Sequence, residues 1–229
     1  MNWDFIIDTF FASLKGIPVT LSIMLVAVLF SIAPALLFAL ALQRELPVIS
    51  KFIQVYLAII RATPLIVLIL FFYSLLPSLL NQFTNLIHVK VDVFNFNPII
   101  YAYIIFSLIA LASLTEIFRS ALMAVDYGQW EAALSAGLSP WKSFERIIFP
   151  QLLKVALPSF INLIIELVKG TSLVFVMPVQ DITAIAKTAA AYSYNFTSAY
   201  IVIFVIYLIL CGLIQYLGQV INKYYLSHA

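Results

Sequence analysis

GQWEAALSAGLSPWKSFERIIFP, running from Gly128 to Pro150, interrupts a chain that is otherwise almost continuously apolar. From Asp126 to Lys154 the chain cannot cross a bilayer. Past Gly128 it holds five charges (Glu131, Lys142, Glu145, Arg146 and Lys154) together with Gly137 and Pro140. Gln129 to Ala136 favours a short helix in which Ala132, Ala133 and Ala136 present small side chains. Gly137 predicts a helix stop, because glycine adopts left-handed backbone without steric cost. Pro140 predicts the first turn of a second helix, where its missing N–H leaves no partner wanting. The expectation is two short helices with a tight bend, lying across the end of a membrane bundle. Such a small-residue helix fits closely into a groove on another protein, and Glu131 offers that groove a charge. On composition alone, an ordinary amphipathic connector is the plainer reading.

Of the 229 residues, 64% are hydrophobic and 10% charged, and mean hydropathy is +1.10. Soluble domains carry roughly a quarter charged residues, so this is an integral membrane protein. Its length suits one all-α domain, residues 1–229, of about five spans of ~20 residues. A spanning barrel would alternate over ~10-residue segments, whereas the apolar runs here are long and unbroken. A net charge of +2 implies neither nucleic acid nor an acidic partner. The single Cys211 lies in an apolar run and reads as helix packing, with no disulfide framework or metal cluster. His88 and His228 are isolated. The opening MNWDFIIDTFF has Asp4 and Asp8 and no early basic residue, unlike a cleaved secretory signal.

Span one is expected over about Thr20 to Leu42, ending at Gln43-Arg44-Glu45 and Pro47. From Phe52 to Leu80, Arg61-Ala62-Thr63-Pro64 predicts a break, since Pro64 removes a donor and disfavours helix at Thr63. A partly interfacial helix should end near Arg61, with the second span starting at Pro64 in its first turn. Asn81 to Asn97 reads as a polar loop with Lys90 and Asp92. Span three runs from Pro98 to about Ala124, span four from about Val155 to Val176, and span five from Ser198 to about Val220. Asp181 to Tyr194 is an Ala-rich, weakly amphipathic helix or loop. Arg44, Lys51, Lys142, Arg146, Lys154 and Lys223 fall on one side, and Lys15, Lys90 and Lys187 on the other. That bias puts the polar segment in the cytoplasm, the N-terminus outside and the C-terminus inside.

Glu131-Ala132-Ala133, then Gly137, Ile147 and Pro150, match the EAA motif of ABC importer membrane subunits. The whole segment, residues 126–154, resembles the coupling segment of the polar amino-acid ABC permeases. KGIPVTL (Lys15 to Leu21), RATPLIV (Arg61 to Val67), TEIFRSAL (Thr115 to Leu122) and LVKGTSLV (Leu167 to Val174) agree in the same order. Phe149 departs from the family's common Leu, and Gly170 from a frequent acidic residue. The resemblance implies a type I ABC importer fold in a bacterial plasma membrane. It implies a coupling helix in which Glu131, Ala132, Ala133, Gly137 and Pro150 meet a cytoplasmic ATPase. Two ATPase subunits, a second permease copy or homologous permease, an extracytoplasmic amino-acid-binding protein and an amino-acid substrate are the implied partners. Because the chain lacks a Gly-x-x-x-x-Gly-Lys-Ser/Thr loop, ATP and Mg belong to the partner ATPase, and no cofactor is expected in this chain.

Ionisable groups at membrane depth cost roughly 2.5–3.5 kcal/mol and usually face an interior or a pathway. Glu116 and Arg119, at i,i+3 near the cytoplasmic end of span three, predict a structural ion pair. Arg61 and Thr63 flank the helix break, a feature often near the ligand path in transporters. Asn162, Glu166 and Lys169 fall at i, i+4 and i+7 in span four, on one face, with Thr171 and Ser172 beyond. Glu166 suits the ammonium of an amino acid, and Lys169 with Thr171 or Ser172 its carboxylate. An intrahelical Glu166–Lys169 pair that only supports packing fits the same spacing. The aromatic residues read mainly as lipid-facing and interfacial, Tyr192, Tyr194 and Tyr200 among them.

The leading expectation is a permease subunit, not an enzyme, importing a polar amino acid such as cystine. An intramembrane enzyme would need a nucleophile, metal set or carboxylate dyad at depth, and none is visible. An ion-coupled secondary carrier is the alternative, though about five spans without a visible inverted repeat fit it less well.

Overall fold

A computed structural model describes residues 3–227, so His228 lies outside the described residues. Ten α-helices follow in order: α1 (Trp3–Leu14), α2 (Ile17–Gln43), α3 (Pro47–Ala62), α4 (Leu65–Leu86), α5 (Pro98–Ala124), α6 (Tyr127–Ser135), α7 (Pro140–Ser143), α8 (Phe149–Thr171), α9 (Ile182–Ser193) and α10 (Phe196–Ser227). Five stretches are long and apolar enough to cross a membrane: Trp3–Gln43, Leu65–Leu86, Pro98–Ala124, Pro140–Val176 and Phe196–Tyr224. The expected all-α membrane architecture stands.

Small residues let the two central helices approach closely, as membrane helices without a hydrophobic drive must. Ala27, Ala35 and Ala39 of α2 and Ala102 and Ala110 of α5 are all 0% exposed. Polar bonds pin the same pair: Ser31 Oγ donates to the Ser107 carbonyl at 2.7 Å, and Tyr103 donates to Ser22 Oγ at 3.2 Å. α8 packs against α5 and α10, while α9 packs between α1 and α10. Asn97 caps α5 by accepting from the Ile99 N–H at 3.1 Å, with Pro98 in the first turn.

Several boundaries move from their expected places. The first span stretch begins earlier than expected, with α1, and its long helix α2 starts at Ile17. Thr63 and Pro64 are extended (ψ 132° and 140°), so the break is real, but Pro64 caps α4 from outside its first turn. α4 continues to Leu86, into the stretch expected as loop, with Pro77 inside it. The fourth span differs most. It ends at Val176 as expected but begins at Pro140, inside the polar segment, and within it α8 gives way after Thr171 to a 3-10 turn, Val174–Val176.

Candidate functional site

The polar segment is built almost wholly from local caps. Asp126 Oδ1 accepts from the Gly128 N–H at 2.8 Å and starts α6. At its other end the Leu138 N–H bonds the Ala133 carbonyl at 3.1 Å, and the Gly137 N–H bonds that of Leu134 at 3.0 Å. These are the paired bonds of a Schellman stop, and Gly137 has the left-handed φ of 84° it requires. Ser139 then caps α7 through the Lys142 N–H at 3.4 Å, with Pro140 in the first turn.

Glu131, Ala132, Gly137 and Pro150 are exposed, whereas Ala133 is 3% exposed and turned inward. Ala133 therefore leaves the expected contact surface: it packs under the helix that presents Glu131 and Ala132. The second short helix is also not separate. A π turn, Phe144–Ile148, carries α7 directly into α8. Its cause is local, since Pro150 has no N–H and its ring crowds the Arg146 carbonyl four residues back. The ladder opens there, and Gln151 Nε2 donates to the Ile147 carbonyl at 2.9 Å.

Glu116 accepts from Arg119 at 3.0 Å, the expected i,i+3 pair, and also stands 3.6 Å from Arg61. One carboxylate thus joins α3 to α5. Thr63 does not join this network, because its hydroxyl donates to the Ile59 carbonyl at 2.7 Å.

α8 ends inside the bundle. Gly170 packs against Phe106, eight residues into α5 and so about 12 Å below that helix's start. A side chain at Gly170 would stand 2.9 Å from Leu65 Cδ2. This glycine is what lets the end of α8 sit beside the α3–α4 break. Thr171 is 3.4 Å from the hydroxyl of Tyr207, which lies eleven residues, about 16 Å, into α10. A helix can end at that depth because its last carbonyls find partners close by: those of Val168, Lys169 and Gly170 accept from the Thr171 hydroxyl, the Ser172 N–H and hydroxyl, and the Leu173 N–H.

Asn162, Glu166 and Lys169 are all exposed on their shared face, and the only ion pairs among the described residues are those of Glu116. The intrahelical Glu166–Lys169 pair is absent. Lys169 and Ser172 line an open cavity of about 480 Å³ against α10, together with Gln215. Thr171 points elsewhere. It is fully buried and donates to the Val168 carbonyl at 2.7 Å, so it leaves the candidate site on steric grounds.

Asp181 was not singled out from sequence, although it is a fully buried carboxylate. Its Oδ1 caps α9 through the Ala184 N–H at 2.8 Å, and its Oδ2 accepts from Tyr207 at 3.2 Å. Burial raises its pKa, opposed by those hydrogen bonds. The available signal was an Asp directly before the Ala-rich helix, a helix-start pattern.

Comparison with known proteins places this geometry in context. Residues 31–223 match the family described as binding-protein-dependent transport system inner membrane component. The chain is 31% identical over 210 residues to the probable amino-acid permease protein YxeN of Bacillus subtilis, covering 92% of this chain and 89% of that one. It is 32% identical over 207 residues to the L-cystine transport system permease protein TcyL of the same organism, covering 90% and 84%. A crystal structure of an amino acid ABC transporter with histidines superimposes with a TM-score of 0.81 at 26% identity, covering 97% of this chain and 98% of that one.

Proposed function

Because the chain belongs to the family of binding-protein-dependent transport system inner membrane components, we propose that it carries a polar amino acid inward on energy delivered at the Gly128–Pro150 segment. The observation that carries this reading is the continuous run from that segment, through the π turn, into the helix bearing Glu166 and Lys169. Glu131, Ala132 and Gly137 form the docking face for one ATPase subunit, with Ala133 supporting it from beneath. Pro150 acts one step later, by opening the turn through which movement passes. Two ATPase subunits, holding ATP and Mg, close on nucleotide and draw the segment with them. Reversing a 1:99 inward/outward preference takes about 5.5 kcal/mol of differential binding, within reach of such a partner.

At the other end, the exposed Glu166 carboxylate accepts from the substrate ammonium. Lys169 receives its carboxylate from the cavity it lines, while the Ser172 hydroxyl, which donates to the Lys169 carbonyl at 2.7 Å, holds the helix end. Cystine, named for the TcyL relative, is one amino acid this zwitterion site suits. Arg61 and Thr63 border the path at the break beside α8. A second permease copy or a homologous permease completes the path, an extracytoplasmic protein delivers the substrate, and the N-terminus lies outside with the C-terminus inside. The test is to substitute Glu131→Arg and Gly137→Val and measure ATP hydrolysis coupled to uptake in the assembled transporter. Coupling should fall in both; wild-type coupling in both contradicts the docking role.

A further inference from the structure

A cavity of about 430 Å³ lies between the polar segment and the cytoplasmic ends of α2 and α5, away from the Glu166–Lys169 face. Its size falls within the roughly 300–1,000 Å³ of small-molecule sites. Leu40 from α2, Leu122 from α5 and Ile148 from the π turn supply an apolar floor. Tyr127, Trp130 and Trp141 bring aromatic faces, with Tyr127 and Trp141 each 70% exposed. Two charged residues complete the wall, Arg44 and Asp126. Neither takes part in the ion pairs found among the described residues, which involve only Arg61, Glu116 and Arg119. Asp126 spends Oδ1 on the Gly128 N–H, and its other oxygen is available to a ligand.

We propose that this cavity binds a zwitterionic phospholipid of the ethanolamine type, with its phosphate on Arg44 and its ammonium on Asp126 and the aromatic faces. Three physical points select this occupant. The cavity opens where apolar spans meet a segment too polar to enter the bilayer, which is the level of lipid headgroups and of interfacial Trp and Tyr. A guanidinium recognises phosphate through paired N–H donors, and indole and phenol faces attract an ammonium. One cation and one anion on the wall of the same cavity, not paired with each other, match a headgroup that carries both charges; an anionic headgroup would meet the Asp126 carboxylate unpaired. The apolar floor takes the first part of an acyl chain. Seated there, the lipid braces the polar segment against the span ends. The proposal rests on the membrane reading alone, and not on ATPase docking or on the amino acid carried.

The experiment is native mass spectrometry of the purified, assembled transporter after graded delipidation, then of the same complex in nanodiscs of phosphatidylethanolamine or phosphatidylglycerol. The wild type should retain one phosphatidylethanolamine per permease chain, and Arg44→Gln should lower that retention at least tenfold. Asp126→Asn keeps a good helix cap, so it should fold normally while its preference shifts toward phosphatidylglycerol. Equal retention of the two lipids by the wild type overturns the proposal. So does wild-type retention in Arg44→Gln or an unchanged preference in Asp126→Asn. If Arg44→Gln does not assemble, the Asp126→Asn preference decides alone. Because uptake and ATP hydrolysis are not read, failure here leaves the transport reading standing, and failure of that reading leaves this one standing.

Discussion

The two ends of the helical run from Pro140 to Thr171 are built on opposite terms. At the Pro140 end and just before it the special features are satisfied within a few residues: Asp126 caps α6, Gly137 takes the left-handed turn, Ser139 caps α7 and Gln151 covers the Ile147 carbonyl. At the inner end Glu166 and Lys169 stand exposed and unpaired with each other, where the helix stops beside Phe106 and Tyr207. The docking role proposed for the first asks for a shape held against a pulling partner, which local order provides. The binding role proposed for the second asks for charges that can exchange partners, which their lack of a partner in this chain provides.

The largest expected effect tests the uncommitted end. Glu166→Gln should abolish measurable uptake in proteoliposomes while the complex still assembles and hydrolyses ATP. Wild-type substrate affinity in that variant removes Glu166 from the site. Next is the locally ordered end. A β-branched residue at φ 84° is strained by more than the roughly 1–2 kcal/mol left-handed cost of an ordinary residue, so Gly137→Val should lower coupled ATP hydrolysis about tenfold or more. Gly137→Asn, which tolerates that conformation, should recover most of it. Equal losses in both would locate the role of Gly137 in its lack of side chain and not in its backbone.

A smaller effect is expected between the two ends. Pro150→Ala restores a donor to the Arg146 carbonyl and lets the π turn relax to α-helix, advancing everything before it by part of a turn. Uptake per ATP should fall a few-fold with assembly intact, as read by the ratio of the two rates. The smallest effect concerns Asp181. Its folded pKa is raised, so its contribution to stability is complete below the usual carboxylate value of about 4 and is lost as pH rises through the raised value. Asp181→Asn keeps the α9 cap and should flatten the dependence of thermal stability on pH above about 4. An unchanged slope would assign that dependence to other groups.

What was legible in the sequence follows the same division. Gly137, Pro140 and Pro98 fix backbone geometry by themselves, and the turns and starts they imply are where they were expected. Residue spacing also predicted the Glu116–Arg119 pair, since i,i+3 neighbours on a helix meet regardless of the rest of the fold. Tertiary facts were not legible. Nothing near Ala133 says that it turns inward, and in LVKGTSLV Gly170 marks a flexible point without saying that the helix stops at Thr171 while the apolar run continues. Hydropathy marks what is apolar, not where a helix ends inside a bundle. The Asp181–Tyr207 contact joins residues twenty-six apart and depends on how α9 packs against α10.

The central claim is that force entering at the exposed face of α6 moves the exposed face of α8. It is tested most directly by the distance between a spin label on Ser159, an exposed α8 position, and one at the equivalent position of the second permease proposed for the assembled transporter. That distance is compared between the nucleotide-free state and the ATP-trapped state. The account predicts a change of several ångströms in the wild type and none in Gly137→Val under the same trapping. A wild-type distance that stays constant on ATP trapping would contradict it.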